Sequence, residues 1–141
     1  MDSIRTGFAT LPVRPEVQTA ALKHLQRWLE DSEFLPYRPQ IEAMIQRNRW
    51  DMLLDCFYQI LPFGTGGRRG PVGIGPNRYN PWTLSASVQG HAEWLKQKYG
   101  NIPMSVVIAY DVRQYLDASG IYDATLPNPM LGLRSRDFAE I

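Results

Sequence analysis

Six of the eleven glycines in this 141-residue sequence fall between Gly64 and Gly75, in a stretch that opens FGTGGRRGPVGIG from Phe63. Arg68 and Arg69 lie inside it and Arg78 just beyond, and no Asp or Glu occurs between Asp55 and Glu93. The chemistry open to such a segment is anion binding. A glycine-rich turn can aim several backbone N–H groups into one concavity, and a guanidinium adds a planar fork of donors that matches a phosphate. Thr65 adds a hydroxyl donor, and Gly66 and Gly67 supply the backbone of the turn. No G-x-x-x-x-G-K-[ST] phosphate loop can be aligned here. A dinucleotide fingerprint starting at Gly64 lacks its third glycine and has no clear strand before it. A surface loop whose glycines make turns and whose arginines are merely solvated accounts for the same composition.

Flanking elements must position this loop. Residues 1–60 read as helical. Pro15 suits the first turn of a helix running to about Asp31, with Val17, Ala21, Leu25 and Leu29 four apart and Leu22 and Trp28 widening the stripe. A second helix follows around Pro39 with Ile41, Met44 and Ile45, and a third spans about Asp51 to Ile60. Seven basic residues face eight acidic ones in this part, the balance of a solvated helical arm. Beyond the loop, Asn80 is an N-cap before Pro81, and Gly100 stands where a helix would end. Leu84, Val88, His91 and Leu95 sit at helical spacing between them. Met104–Tyr110 is a short apolar run rich in β-branched residues, expected to form a strand buried on both faces. Asp111 and Arg113 then fall at its carboxyl end, where α/β proteins place ligands. Residues 114–134 form a long loop, and Ser135 is expected to cap a last helix. A lone strand of this kind needs neighbours. Cover by the helical arm, self-association, or membership of a longer protein would each supply them, and the third is favoured.

Composition narrows the class. With 44% hydrophobic and 21% charged residues the chain has enough apolar material for one domain, or one domain plus a helical extension. A net charge of +1 and three arginines in one loop fall short of a nucleic-acid footprint. No apolar run approaches the roughly 20 residues of a membrane span. One cysteine, Cys56, and two histidines, His24 and His91, show no ligand spacing and are assigned to packing, as are the four tryptophans. The sequence opens without the basic and apolar regions of a signal peptide, so a cytoplasmic location is expected.

The stretch Phe63–Gly70, followed by Gly73-Ile-Gly75 and Asn77-Arg-Tyr-Asn80, resembles the signature F-G-T-x-G-x-R-G, G-x-G, N-R-x-N of the α-D-phosphohexomutases, the phosphoglucomutases and phosphomannomutases. Tyr110-Asp-Val-Arg113 resembles that family's Y-D-x-R, and Ser135-Arg-Asp-Phe-Ala139 its S-x-x-F-A, in the family's order. The resemblance implies an α/β fold in which residues 1–60 are a helical N-terminal extension and 61–141 an incomplete α/β/α layer, a truncated domain I. It implies an isomerase moving a phosphoryl group between C1 and C6 of a hexose phosphate through a hexose bisphosphate and a phosphoserine, with Mg²⁺ beside that serine. Arg69 and Arg113 would be its cleft residues in catalysis, and Thr65, Gly66, Gly67 and Arg69 would hold phosphate. Residues 114–134 look like an insertion between two motifs that normally adjoin, in the manner of a lid or a contact with another domain. The family's T-A-S-H-N-P loop and metal-binding D-G-D match nothing here, so the serine and the Mg²⁺ ligands would lie in the remaining domains. This chain alone is then expected to be inactive. A non-catalytic sugar-phosphate-binding module, or a helical interaction protein acting through residues 1–60, are the alternatives.

Overall fold

The computed structural model describes residues 1–100 and 102–141. Their elements are helices α1 (Asp2–Ala9), α2 (Pro15–Glu30), α3 (Arg38–Gln46), α4 (Trp50–Phe57), α5 (Pro81–Tyr99) and α6 (Ser135–Ala139), a 3₁₀ segment at Ser32–Tyr37, and strands β1 (Phe63–Gly64) and β2 (Gly67–Arg68). The chain is therefore mostly helical with one small antiparallel pair, compatible with an α/β class.

The helices start where the sequence places their breakers. Pro15 opens α2 after an extended Arg14, and Asp31 returns to extended backbone after Glu30. Pro39 lies in the first turn of α3, where its missing N–H costs nothing. The short α1, which the sequence reading passed over, buries Ile4 and Phe8 against the next helices. The core is aromatic at its centre. Trp28 of α2 is 1% exposed and stacks on Phe34 at 4.2 Å, with Phe57 of α4 and Trp82 of α5 edge-on to it.

Besides Trp82, three buried residues from beyond position 60 belong to this core: Ile74, Tyr122 and Met130. The 114–134 segment is thus anchored rather than free. The amide of Gln40, fully buried on α3, donates to the carbonyls of Asp123, Leu126 and Pro127 and accepts from the Asp123 N–H. A buried amide satisfied at both ends is costly to disturb, because its former partners are left without hydrogen bonds. Arg47 pairs with Asp123, and the Tyr122 hydroxyl accepts the Ile74 N–H at 2.7 Å.

Two expectations are corrected. Residues 104–110 are not a buried strand: Val106 is 69% exposed, Val107 99% and Ile108 60%, and the only sheet among the described residues is β1–β2. The apolar pattern says what such a run requires on its faces, but it cannot supply the neighbouring strands its backbone needs. The helical arm does not cover it. Likewise Thr83, in its first turn, is the one buried residue of α5, and Trp94 and Val88 are about half exposed, so Trp94 is not a core residue.

Candidate functional site

The glycine–arginine stretch folds as a hairpin. Phe63 pairs with Arg68 and Gly64 with Gly67, leaving Thr65 and Gly66 as a two-residue turn. Gly67, at φ 125°, takes the left-handed conformation that tight turns reserve for glycine. The next residues are clamped onto the helices. Leu61 N–H donates to the Pro76 carbonyl, and Asn77 N–H to that of Cys56. Gly75, at φ 114°, passes so close to α4 that a Cβ there would lie 2.6 Å from the Cys56 carbonyl oxygen.

Asn77, Arg78 and Asn80 act as fasteners. The Asn77 amide donates to the Asp55 carbonyl and accepts from Gln59. Arg78 is buried, and its guanidinium pairs with the Asp55 carboxylate and donates to that residue's carbonyl. The sequence counted Arg78 in a positive field; its charge is instead matched from α4, 23 residues earlier. Asn80 is fully buried. Its amide donates to the carbonyls of Gly73 and Gly75, while its oxygen accepts Thr83 N–H at 3.0 Å and so caps α5 as expected. One side chain thereby ties the glycine loop to a helix start.

A second convergence comes from the far end of the chain. Arg113 and Ser135, 22 residues apart in sequence, meet through a 3.0 Å hydrogen bond from Ser135 N–H to the Arg113 carbonyl. Tyr115 and Gly132 are similarly bonded, so the intervening segment leaves and returns at one point. Ser135 is the first residue of α6 rather than its cap; the Arg134 N–H is held by Asp137 at 2.6 Å.

These two convergences border one open cavity of about 530 Å³, lined from the first by Arg68, Arg69 and Tyr79 and from the second by Arg113, Gln114 and Ser135. Three guanidinium groups thus border a single space. They differ in freedom. Arg68 is spent on structure, donating through Nε to Ser87 of α5 at 3.1 Å and through Nη1 to the Leu61 carbonyl. Arg69 is exposed, and its Nη2 lies 3.9 Å from where a Gly66 Cβ would stand. It also borders a shallower hollow of about 330 Å³ formed with Thr65, Gly66 and Gly67. The four residues read as phosphate-binding are therefore together, and Arg69 is the side chain common to both spaces. Arg113 is 86% exposed and carries one partner, Asp111, at 2.6 Å from its Nε.

Asp111 itself is held by three donors. Ser135 Oγ donates at 2.5 Å and Arg113 N–H at 2.9 Å, and together with the Arg113 side chain they push its carboxyl down to about 2. It is ionised at any pH near neutral, and its contribution to stability is lost only as pH falls toward that value. Tyr79, Gln114 and Ser135, which line this cavity, are not singled out by sequence for the site itself. Only the fold brings them to it.

The lone cysteine is inert. Cys56 is fully buried, and burial pushes its thiol up to about 12, outweighing the nearby Arg78. His24 donates a ring N–H to the Phe57 carbonyl at 2.7 Å, a packing role. No group of three or more His, Cys, Asp or Glu among the described residues could hold a metal ion, so the donor set described here does not fit Mg²⁺. No helix among the described residues is long and apolar enough to cross a membrane.

No family model matches the sequence, and no solved structure matches it significantly. Two curated proteins are similar over part of their length. The first is phosphopentomutase of Mus musculus, 27% identical over 95 residues, which covers 67% of this chain and 15% of that protein. The second is phosphoglucomutase of Staphylococcus haemolyticus, 47% identical over 53 residues, which covers 38% of this chain and 9% of that protein. The chain thus spans less than a fifth of the length of either relative. These partial similarities relate it to phosphomutases.

Proposed function

We propose that this chain is the phosphate-binding front of a phosphohexomutase-type enzyme, an isomerase that moves a phosphoryl group between C1 and C6 of a hexose phosphate. Residues 61–141 would form part of its first α/β/α domain, and the exposed 104–110 run would find its neighbours in the rest of that layer. The observation that carries the reading is the meeting of Arg69, from the glycine hairpin, with Arg113, 44 residues later, on one cavity. Their task would be to bind the dianionic group and neutralise charge as it develops, since the protein's part in phosphoryl transfer is mainly positioning and electrostatic. The serine that carries the phosphoryl group, and the Mg²⁺ beside it, would belong to polypeptide not included in these 141 residues. The chain alone would bind without turnover.

The similarity to proteins named for pentose and for glucose phosphates leaves the sugar open, so the test compares both. Titrated into the 141-residue protein, glucose 1-phosphate and ribose 1-phosphate should perturb the Arg69 and Arg113 amide resonances, while unphosphorylated glucose should not. Equal responses to glucose and glucose 1-phosphate would remove the phosphate from the site. Turnover of either sugar phosphate by this chain would contradict its assignment as a binding portion only.

A further inference from the structure

We propose that Asp111 is a positioning residue: its carboxylate, braced by Ser135, aims Arg113 into the cavity so that the guanidinium meets an anion with both terminal amines free. The inference rests on the phosphate reading of that cavity and adds to it a role for Asp111.

The geometry begins with a guanidinium that is otherwise loose. Arg113 is 86% exposed, and a long exposed side chain loses rotamer freedom on binding, which weakens affinity unless the freedom has been removed beforehand. Asp111 removes it. One carboxylate oxygen accepts Nε of Arg113 at 2.6 Å, and the other accepts that residue's own N–H at 2.9 Å, so side chain and backbone are gripped together. The carboxylate cannot swing away, because Ser135 Oγ donates to it at 2.5 Å from a segment 24 residues further along. Only Nε of Arg113 is engaged. Nη1 and Nη2 have no hydrogen-bond partner among the described residues, and they form the edge that binds phosphate bidentately.

A competing effect has the opposite sign, which makes the idea testable. Asp111 is an anion beside an anion site, and removing it lowers electrostatic repulsion. For groups this exposed that gain is screened to roughly a factor of two. Freeing a long side chain costs roughly three- to tenfold in affinity. Positioning should therefore win, and loss of a negative charge should weaken binding of a negative ligand.

The experiment titrates inorganic phosphate into the full 141-residue protein and into Asp111→Ala, Ser135→Ala, Arg113→Ala and the Asp111→Ala/Arg113→Ala pair. Circular dichroism confirms that each variant keeps its helix content. Asp111→Ala should weaken phosphate binding roughly three- to tenfold, and Ser135→Ala roughly twofold. In the Arg113→Ala background, Asp111→Ala should no longer weaken binding, because there is nothing left to aim. Unchanged or tighter binding by Asp111→Ala, with Arg113→Ala still weakened, would overturn the positioning role alone. Equal weakening by Asp111→Ala in both backgrounds would mark a merely structural effect and overturn it too. Failure of the unaltered protein to bind phosphate would instead overturn the cavity reading, and this inference with it.

Discussion

Replacing Trp28 with alanine should destabilise the protein by about 3–5 kcal/mol, the range for deleting a fully buried aromatic ring. Trp28 is 1% exposed and contacts four rings: Phe34 stacked at 4.2 Å, Tyr37 at 5.2 Å, Phe57 at 5.7 Å and Trp82 at 5.9 Å. No single neighbour can fill the space, since those rings come from three different elements: the 3₁₀ segment, α4 and α5. Total stabilities of about 5–15 kcal/mol make this a large share. The effect should reach the cavity as well. Trp82 lies in the first turn of α5, whose cap Asn80 holds the glycine loop through Gly73 and Gly75. Urea unfolding measures the loss. Lys23→Ala, at an exposed position of the same helix, should stay within about 0.5 kcal/mol. A Trp28→Ala cost below about 1 kcal/mol would show that the aromatic cluster is not the centre of the core.

The double substitution Arg69→Ala/Arg113→Ala should lower phosphate affinity by roughly a hundredfold or more, and each single change by roughly tenfold. Hydrogen bonds to charged groups contribute about 1.5–3 kcal/mol each, which sets that scale. The two side chains come from different segments and share no hydrogen bond, so their losses should add. Arg69→Lys should recover little, because an ammonium lacks the planar fork. Arg68→Ala should behave differently. Its guanidinium joins the Leu61 carbonyl to Ser87, so its removal should lower stability along with affinity. Isothermal titration of phosphate gives the affinities; single variants that bind like the parent would exclude both arginines from the site.

What the sequence made legible follows the range of the interactions involved. Local devices were readable: Pro15 and Pro81 at helix starts, Asn80 as a cap, and positive φ at Gly100. The hairpin was readable as a glycine-rich turn, and Arg69 and Arg113 as members of one cleft by family resemblance. Long-range partners were not. Nothing near Arg78 in the sequence announces Asp55, and nothing near Gln40 announces the carbonyls of Asp123, Leu126 and Pro127 that it satisfies. The run from Met104 to Tyr110 failed for the converse reason. Its residues have the character of a doubly covered strand, but strand formation is a property of at least two segments, and only one is present among the described residues. Residues 114–134 read as an insertion by resemblance alone; the structure shows only that Arg113 and Ser135, at the two ends of the segment, are hydrogen-bonded to each other. Its docking on α3 rests on a glutamine whose burial no periodicity reveals.

The central claim is that two arginines from distant segments face one anion. The direct measurement follows the side-chain Nε–Hε resonances of Arg69 and Arg113 by NMR as inorganic phosphate is added to the unaltered protein. Both signals should shift along a single saturation curve, with one dissociation constant, while the resonances of buried Arg78 stay in place. Movement of one without the other, two separate constants, or no saturating shift at either would contradict a shared phosphate site.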